Sequence, residues 1–75
     1  MQINVIFTNT GKDPRLDNAE LFYQNKFWTK IWKGGEPVSV NTYEGHVWNI
    51  RTAEGEVIQS FEISAKGGTK QFYEI

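Results

Sequence analysis

The side chains best suited to chemistry lie in one short segment, residues 41–48. The segment supplies a hydroxyl, a phenol, an imidazole and an indole, carried by Thr42, Tyr43, His46 and Trp48. An indole can pack on an apolar ring while a hydroxyl and an imidazole hydrogen-bond a small polar group attached to that ring. The segment therefore predicts a binding patch for such a ligand.

A tight turn is predicted in the middle of this segment, at Glu44 and Gly45. A β-hairpin closed by this turn would place the hydroxyl and the phenol beside the imidazole and the indole. A purely structural interpretation is also open, because His46, Trp48 and Ile50 would share one face of the following strand. Trp48 would then belong to the core, and a pocket at the margin of the core would satisfy both interpretations.

Other kinds of chemistry find little support in the sequence. Cysteine is absent and His46 is the only histidine, which excludes a disulfide scaffold, a Cys/His zinc site and a cysteine nucleophile. Glu54 and Glu56 fall at a predicted hairpin tip, where solvated carboxylates are expected rather than a catalytic pair. The pairs Gly34-Gly35 and Gly67-Gly68 lack the phosphate-loop pattern and predict turns. We expect no enzymatic activity, no metal and no cofactor.

Charge and hydropathy narrow the range of partners. The chain has 75 residues and a net charge of −1, without the basic stripe that nucleic-acid binding requires. The segment 27–33 comes closest to an aromatic and basic pattern, but it carries no ribonucleoprotein-type motif. No run of residues is apolar enough to span a bilayer or to act as a signal peptide. We expect no nucleic-acid or membrane partner and, by default, a cytoplasmic location.

Period-two alternation of apolar residues runs through almost the whole chain and predicts strands. The predicted strands fall at 2–7, 21–23, 27–32, 38–42, 46–51, 57–63 and 70–75. The only competing helix, 17–23, is too short to be stable by itself. Short strands at this spacing, separated by glycine-rich turns, predict one all-β domain over 1–75, a seven-stranded antiparallel β-sandwich.

Aromatic side chains make up 15% of the sequence, and a chain this short without disulfides or metal needs a dense core. We expect Phe7, Leu21, Phe61 and Phe72 to build that core. Trp48, with Trp28 and Tyr43, is then expected to form pocket walls at its edge.

The motif Thr42-Tyr43-Glu44-Gly45-His46-Val47-Trp48, with Arg51 after it, resembles the signature Ser/Thr-Tyr-x-Gly-His-x-Trp of the von Hippel–Lindau tumour suppressor β domain. Residues 5–9 are similar to the first strand of that family, and 61–72 are more loosely similar to its closing strands. The resemblance covers nearly the whole chain, and it implies the seven-stranded sandwich of the von Hippel–Lindau β domain.

The von Hippel–Lindau β domain binds a peptide that carries 4-hydroxyproline, from the hypoxia-inducible factor. The resemblance implies that Thr42 and His46 meet the ligand hydroxyl, that Trp48 packs on the pyrrolidine ring and that Tyr43 faces the peptide backbone. Trp28 is expected to replace a wall tyrosine of the family. The tryptophan of the preceding strand is replaced by either Phe22 or Tyr23.

Two features depart from the family. Asn41 replaces a histidine that precedes the hydroxyl residue, so a contact to the peptide backbone is altered at this position. The helical domain that docks elongin is absent, so we expect no elongin or cullin recruitment by this chain alone. The resemblance therefore predicts a non-enzymatic module that binds a hydroxyproline-containing peptide or protein.

Two other classes of function also fit the residues. A carbohydrate-binding module would use exposed Trp28, Trp32 and Trp48 as coplanar surfaces for sugar rings. A structural or protein-interaction domain that has lost hydroxyproline recognition would keep the motif for packing, and its pocket would be filled by its own side chains.

Overall fold

The computed structural model describes all 75 residues and contains seven strands in two sheets. The strands are β1 Gln2–Thr8, β2 Asn18–Tyr23, β3 Lys26–Trp32, β4 Val38–Tyr43, β5 Val47–Arg51, β6 Val57–Glu62 and β7 Lys70–Glu74. One sheet has the order β4-β1-β7 and the other the order β3-β2-β5-β6. The prediction of a small all-β domain that resembles a sandwich is confirmed, and the competing helix at 17–23 is replaced by β2.

The prediction of a fully antiparallel sandwich is wrong at one pair of strands. β1 pairs with β4 antiparallel but with β7 parallel, from Asn4 opposite Lys70 to Thr8 opposite Glu74. Parallel neighbours cannot be joined by a tight turn and need a long connection between them. Here nearly the whole chain is that connection, because β1 and β7 are the first and last strands.

The core lies between the two sheets and is built from inward-facing residues of alternating strands. Its twelve buried apolar residues are Ile3, Val5, Phe7, Leu16, Ala19, Leu21, Ile31, Val40, Trp48, Ile50, Ile63 and Ile75. Phe7 is at the centre of an aromatic cluster, with ring centroids 6.2 Å from Trp48, 5.8 Å from Phe61 and 5.7 Å from Tyr73. The core placements of Phe7 and Leu21 are confirmed, and Phe61 is half-buried against this core.

Phe72 does not belong to the core, contrary to the prediction. Its side chain is 67% exposed, because β7 turns Gln71, Tyr73 and Ile75 toward the interior instead. The Gln71 amide donates hydrogen bonds to the Ser64 carbonyl at 2.7 Å and to the Gly68 carbonyl. These bonds allow a polar side chain to occupy the inward position that the sequence pattern assigned to phenylalanine.

The connection between β4 and β5 also differs from the prediction, because it is not a β-hairpin. β4 pairs only with β1, whereas β5 pairs with β2 and β6 in the other sheet. The turn at Glu44 and Gly45 therefore carries the chain from one sheet to the other. Residues on the two sides of the turn meet through their side chains across the interior, not through a backbone ladder.

Two short 3-10 turns, Pro14–Leu16 and Ala65–Gly67, are the helical elements of the protein. The first begins after Asp13, whose carboxylate accepts the Arg15 backbone N–H at 3.0 Å as an N-cap. It delivers Leu16 to the core. Neither turn approaches the length and apolarity that a helix needs to cross a bilayer.

Candidate functional site

A pocket of about 190 Å³ opens at one margin of the sandwich, where side chains of both sheets meet. Its lining residues are Tyr23, Trp28, Asn41, Thr42, Tyr43, His46 and Trp48. All six residues that the sequence predicted for the site are among them, and Tyr23 is the addition. The structure thus brings the predicted residues together, while ligand binding by them stays a prediction.

The polar centre of this pocket is the Thr42 hydroxyl. Its Oγ1 lies 2.9 Å from Nδ1 of His46 and accepts the indole N–H of Trp48 at 3.1 Å. Thr42 is 1% exposed and Trp48 is 2% exposed, whereas the imidazole is half-buried. Because Thr42 lies in one sheet and Trp48 in the other, these bonds also tie the two sheets together at the pocket.

The turn between β4 and β5 is held firmly by backbone hydrogen bonds. The His46 N–H donates to the Tyr43 carbonyl at 3.1 Å, and Gly45 has a φ of +88°, a conformation that favours glycine. The Gly45 N–H donates to the Ile63 carbonyl at 2.8 Å, and the Ile63 N–H donates to the His46 carbonyl at 2.9 Å. The backbone of His46 is therefore fixed from both sides, which orients its ring toward the Thr42 hydroxyl.

Aromatic rings form the walls of the pocket, and most of them meet at steep angles. The Trp28 and Trp48 rings are 5.4 Å apart at 83°, and the Tyr23 and Trp48 rings are 5.1 Å apart at 50°. His46 lies between Tyr23, at 5.2 Å, and Tyr43, at 5.6 Å. Trp28 is 54% exposed, whereas Trp48 is buried. Trp48 therefore forms the floor of the pocket, and Trp28 forms part of its solvent-accessible rim. This arrangement suits a small apolar ring that carries one polar group.

Tyr23 is the lining residue that the sequence did not single out, since Phe22 remained an equal candidate. Phe22 lies on the outer face of the sheet, where its ring packs against Phe27 and under the Arg51 guanidinium at 3.9 Å. Alternation from Leu21, which is buried, places Tyr23 on the inner face. That alternation was the signal that could have resolved the choice.

A β-bulge explains why Trp28 reaches the pocket. Leu21 pairs with Thr29 and Phe22 pairs with Phe27, so Trp28 has no partner of its own in the ladder. Bulges redirect side chains and are common next to binding sites. The indole of Trp28 consequently meets Trp48 edge-on, while Phe27 stays on the outer face.

The two glutamates at the tip of the β5–β6 connection belong to a different part of the surface. Glu54 and Glu56 line a depression of about 400 Å³ with Arg15 and Asp17, at the opposite ends of β2 and β5 from the pocket. Both glutamates are exposed, as expected of solvated carboxylates. No group of three or more histidine or acidic side chains converges to hold a metal ion.

One ion pair lies near this depression, between Asp13 and Arg15, at 2.8 Å. The side-chain hydrogen bond from Arg15, together with its backbone N–H, lowers the pKa of Asp13 below the ordinary value of 3.8. Both groups are solvated, so the pair stabilises the 3-10 turn only weakly. It takes no part in the pocket.

Comparison of the chain with models of known protein families finds no match, and comparison with curated proteins finds none. The resemblance carried by residues 42–48 therefore rests on the residue pattern alone and stays a hypothesis.

Proposed function

We propose that the protein is a non-enzymatic module that binds an extended peptide containing 4-hydroxyproline. In this proposal the pyrrolidine ring packs against Trp48, Trp28 and Tyr23, and the ring hydroxyl hydrogen-bonds the imidazole of His46, which is paired with the Thr42 hydroxyl. The partner is a hydroxyproline-containing peptide or protein. We also propose that the two sheets adopt the arrangement of the von Hippel–Lindau β domain.

One observation carries the proposal. A buried hydroxyl and an imidazole lie 2.9 Å apart beside an indole, in a pocket whose other walls are aromatic apart from Asn41. At about 190 Å³, the pocket is smaller than the roughly 300–1,000 Å³ typical of drug-sized ligands. Its size suits a single small ring, and its one polar corner suits a single hydroxyl on that ring.

Selectivity for the hydroxylated ring follows from the cost of covering a polar group. An unmodified proline would cover the imidazole without offering it a hydrogen bond. Leaving such a group unsatisfied costs about 1–3 kcal/mol, which corresponds to roughly a fivefold to 150-fold preference for hydroxyproline. The aromatic walls contribute affinity to both rings alike, so they do not set this preference.

The free edge of β4 provides a place for the peptide backbone. β4 pairs with β1 on one side only, so its other edge offers unpaired backbone groups. Asn41, Thr42 and Tyr43 lie on this strand and line the pocket. A peptide added along this edge as an extended strand would bring a hydroxyproline side chain to the pocket.

The geometry gives less support to the two other classes. A carbohydrate platform needs exposed, coplanar tryptophans, but Trp48 is buried and meets Trp28 at 83°. A purely structural role for the motif fits the burial of Trp48. It does not account for a pocket that remains open beside it.

The proposal can be tested by nuclear magnetic resonance, using the indole N–H signals of the three tryptophans. Titration with a short hydroxyproline peptide should shift the Trp28 and Trp48 signals and leave the Trp32 signal in place. Trp32 is an internal control, since it is as exposed as Trp28 and lies on the same strand but outside the pocket. Uniform shifts in all three signals, or none, would count against the assignment of the pocket.

A further inference from the structure

The hydrogen-bond partners of Thr42 restrict the state of His46. A hydroxyl has one hydrogen to donate, and an indole N–H can only donate. The Trp48 N–H therefore uses the Thr42 oxygen as an acceptor at 3.1 Å, and the hydroxyl hydrogen must find an acceptor elsewhere. The only other partner of Oγ1 is Nδ1 of His46, at 2.9 Å.

The two neutral forms of the imidazole satisfy this arrangement unequally. If Nδ1 is unprotonated, it accepts the Thr42 hydroxyl hydrogen, and the hydroxyl, the Trp48 indole N–H and Nδ1 are all satisfied. If Nδ1 carries the proton, both it and the Trp48 indole donate to Oγ1, and the hydroxyl hydrogen has no acceptor. Since Thr42 is 1% exposed, water cannot supply one, and an unsatisfied buried donor is unfavourable.

We propose that Thr42 is a positioning residue that holds His46 as the Nε2–H tautomer, so that the pocket offers its ligand a hydrogen-bond donor. Nε2 has no partner in the protein and is not sealed from solvent. The group that the pocket recognises must then present an oxygen lone pair to Nε2–H. Thr42 acts on the ligand through the imidazole, not by direct contact.

This assignment differs from the role that the sequence resemblance implies for Thr42, which is direct contact with the ligand hydroxyl. The tautomer does not depend on the identity of the ligand, whereas the acceptor requirement rests on the proposed hydroxyproline function. The two parts are therefore tested separately, first in the free protein and then with peptides.

The tautomer can be measured by long-range proton–nitrogen correlation spectra of the free protein above neutral pH. His46 is the only histidine, so a single set of ring signals reports the result without ambiguity. The wild type should show Nε2 protonated and Nδ1 unprotonated. Wild-type spectra with a protonated Nδ1, or with an even mixture of both forms, would overturn the assignment.

Two substitutions at one position separate tautomer control from packing. Thr42→Val keeps the shape of the side chain and removes the hydroxyl, so both nitrogen signals should move toward a mixture of tautomers. Thr42→Ser keeps the hydroxyl and should retain the wild-type pattern. An unchanged pattern in folded Thr42→Val would show that Thr42 does not control the tautomer. If that variant does not fold, the wild-type and Thr42→Ser spectra still decide which nitrogen of His46 carries the proton.

Calorimetry with three peptides that differ only at the pocket residue tests the acceptor requirement. A 4-oxoproline peptide keeps an acceptor oxygen and has no hydroxyl hydrogen, so it should bind more tightly than the proline peptide. In Thr42→Val only the Nε2–H fraction of the imidazole can donate to an acceptor-only ligand, so 4-oxoproline binding should weaken by the inverse of that fraction, roughly twofold for an even mixture of tautomers. If 4-oxoproline binds only as well as proline, the acceptor requirement is wrong.

The failures of the two proposals are distinguishable. An Nε2–H tautomer in a protein that binds none of the peptides would contradict the hydroxyproline function and leave the tautomer assignment intact. Hydroxyproline-selective binding with a protonated Nδ1 would contradict the tautomer assignment and leave the function intact.

Discussion

The indole of Trp28 meets the indole of Trp48 edge-on, with ring centroids 5.4 Å apart and planes at 83°. Trp28 is exposed and Trp48 is buried, so this contact marks the boundary between the pocket rim and the core. Trp48 is both a core residue and a pocket wall, so the structural and the ligand-binding interpretations of the motif are compatible. Trp28 has no such double role, which makes the functions of the two rings separable by substitution.

Replacing Trp28 by alanine should weaken peptide binding several-fold and lower the free energy of unfolding by no more than about 1.5 kcal/mol. The ring is largely solvated in the free protein, and an edge-to-face aromatic contact is worth about 0.5–1.5 kcal/mol. Trp32→Ala is the matched control, because this indole has the same 54% exposure and lies outside the pocket. Calorimetry and chemical denaturation measure the two effects, and equal losses of affinity in both variants would contradict the pocket assignment.

Trp48→Phe should destabilise the protein by about 2 kcal/mol. The substitution removes the N–H that donates to Thr42 at 3.1 Å and leaves a gap beside Phe7 in the core. Trp32→Phe should change the free energy of unfolding by less than about 0.5 kcal/mol, as is usual for exposed positions. Urea denaturation followed by circular dichroism gives both values. A midpoint for Trp48→Phe close to that of the wild type would show that the buried indole is not essential to packing.

Truncation of two neighbouring residues of β7 should destabilise the protein to very different extents. Tyr73→Ala removes a ring that stacks on Phe7 and packs against Phe61 at a tilt, and it should cost roughly 3 kcal/mol. Phe72→Ala removes a ring that is largely exposed and should cost less than about 1 kcal/mol. Thermal unfolding of the two variants compares them directly, and a larger loss for Phe72→Ala would mean that β7 faces the other way.

The alternation of apolar residues was sufficient to predict the strands and the all-β class, because period two is a local property of the sequence. It failed at β7, where Phe72, Tyr73 and Ile75 place apolar residues on both faces of the strand. The choice of face depends on Gln71, whose amide satisfies the Ser64 and Gly68 carbonyls. Those contacts are made to the loop that immediately precedes β7, and the alternation within the strand contains no information about them.

The pocket residues were easier to predict than the way in which they meet. Five of the lining side chains belong to the 41–48 segment, and they remain close whether the turn forms a hairpin or joins two sheets. Gly45 suits both connections equally, so the turn alone could not reveal that β4 and β5 are in different sheets. Trp28 reaches the site through a bulge whose position depends on pairing with β2, a long-range feature that local spacing does not specify.

The Asp13 carboxyl should titrate below its ordinary pKa of 3.8, because Arg15 hydrogen-bonds its charged form. A folded-state pKa below the unfolded one stabilises the protein above about pH 4, and this contribution is lost as the pH falls through the lowered pKa. Arg15→Gln should raise the Asp13 pKa part of the way back, since the backbone N–H of residue 15 remains. Carboxyl signals followed by nuclear magnetic resonance measure both midpoints, and a wild-type midpoint at or above 3.8 would contradict the ion pair.

The central claim is that the pocket between the sheets selects hydroxyproline, and paired calorimetric titrations test it most directly. The two ligands are a short hydroxyproline peptide and its proline twin, titrated into the wild type and into His46→Ala. The wild type should prefer the hydroxylated peptide by about tenfold or more, and His46→Ala should bind both peptides equally. Equal or undetectable binding of both peptides to the wild type would contradict the claim.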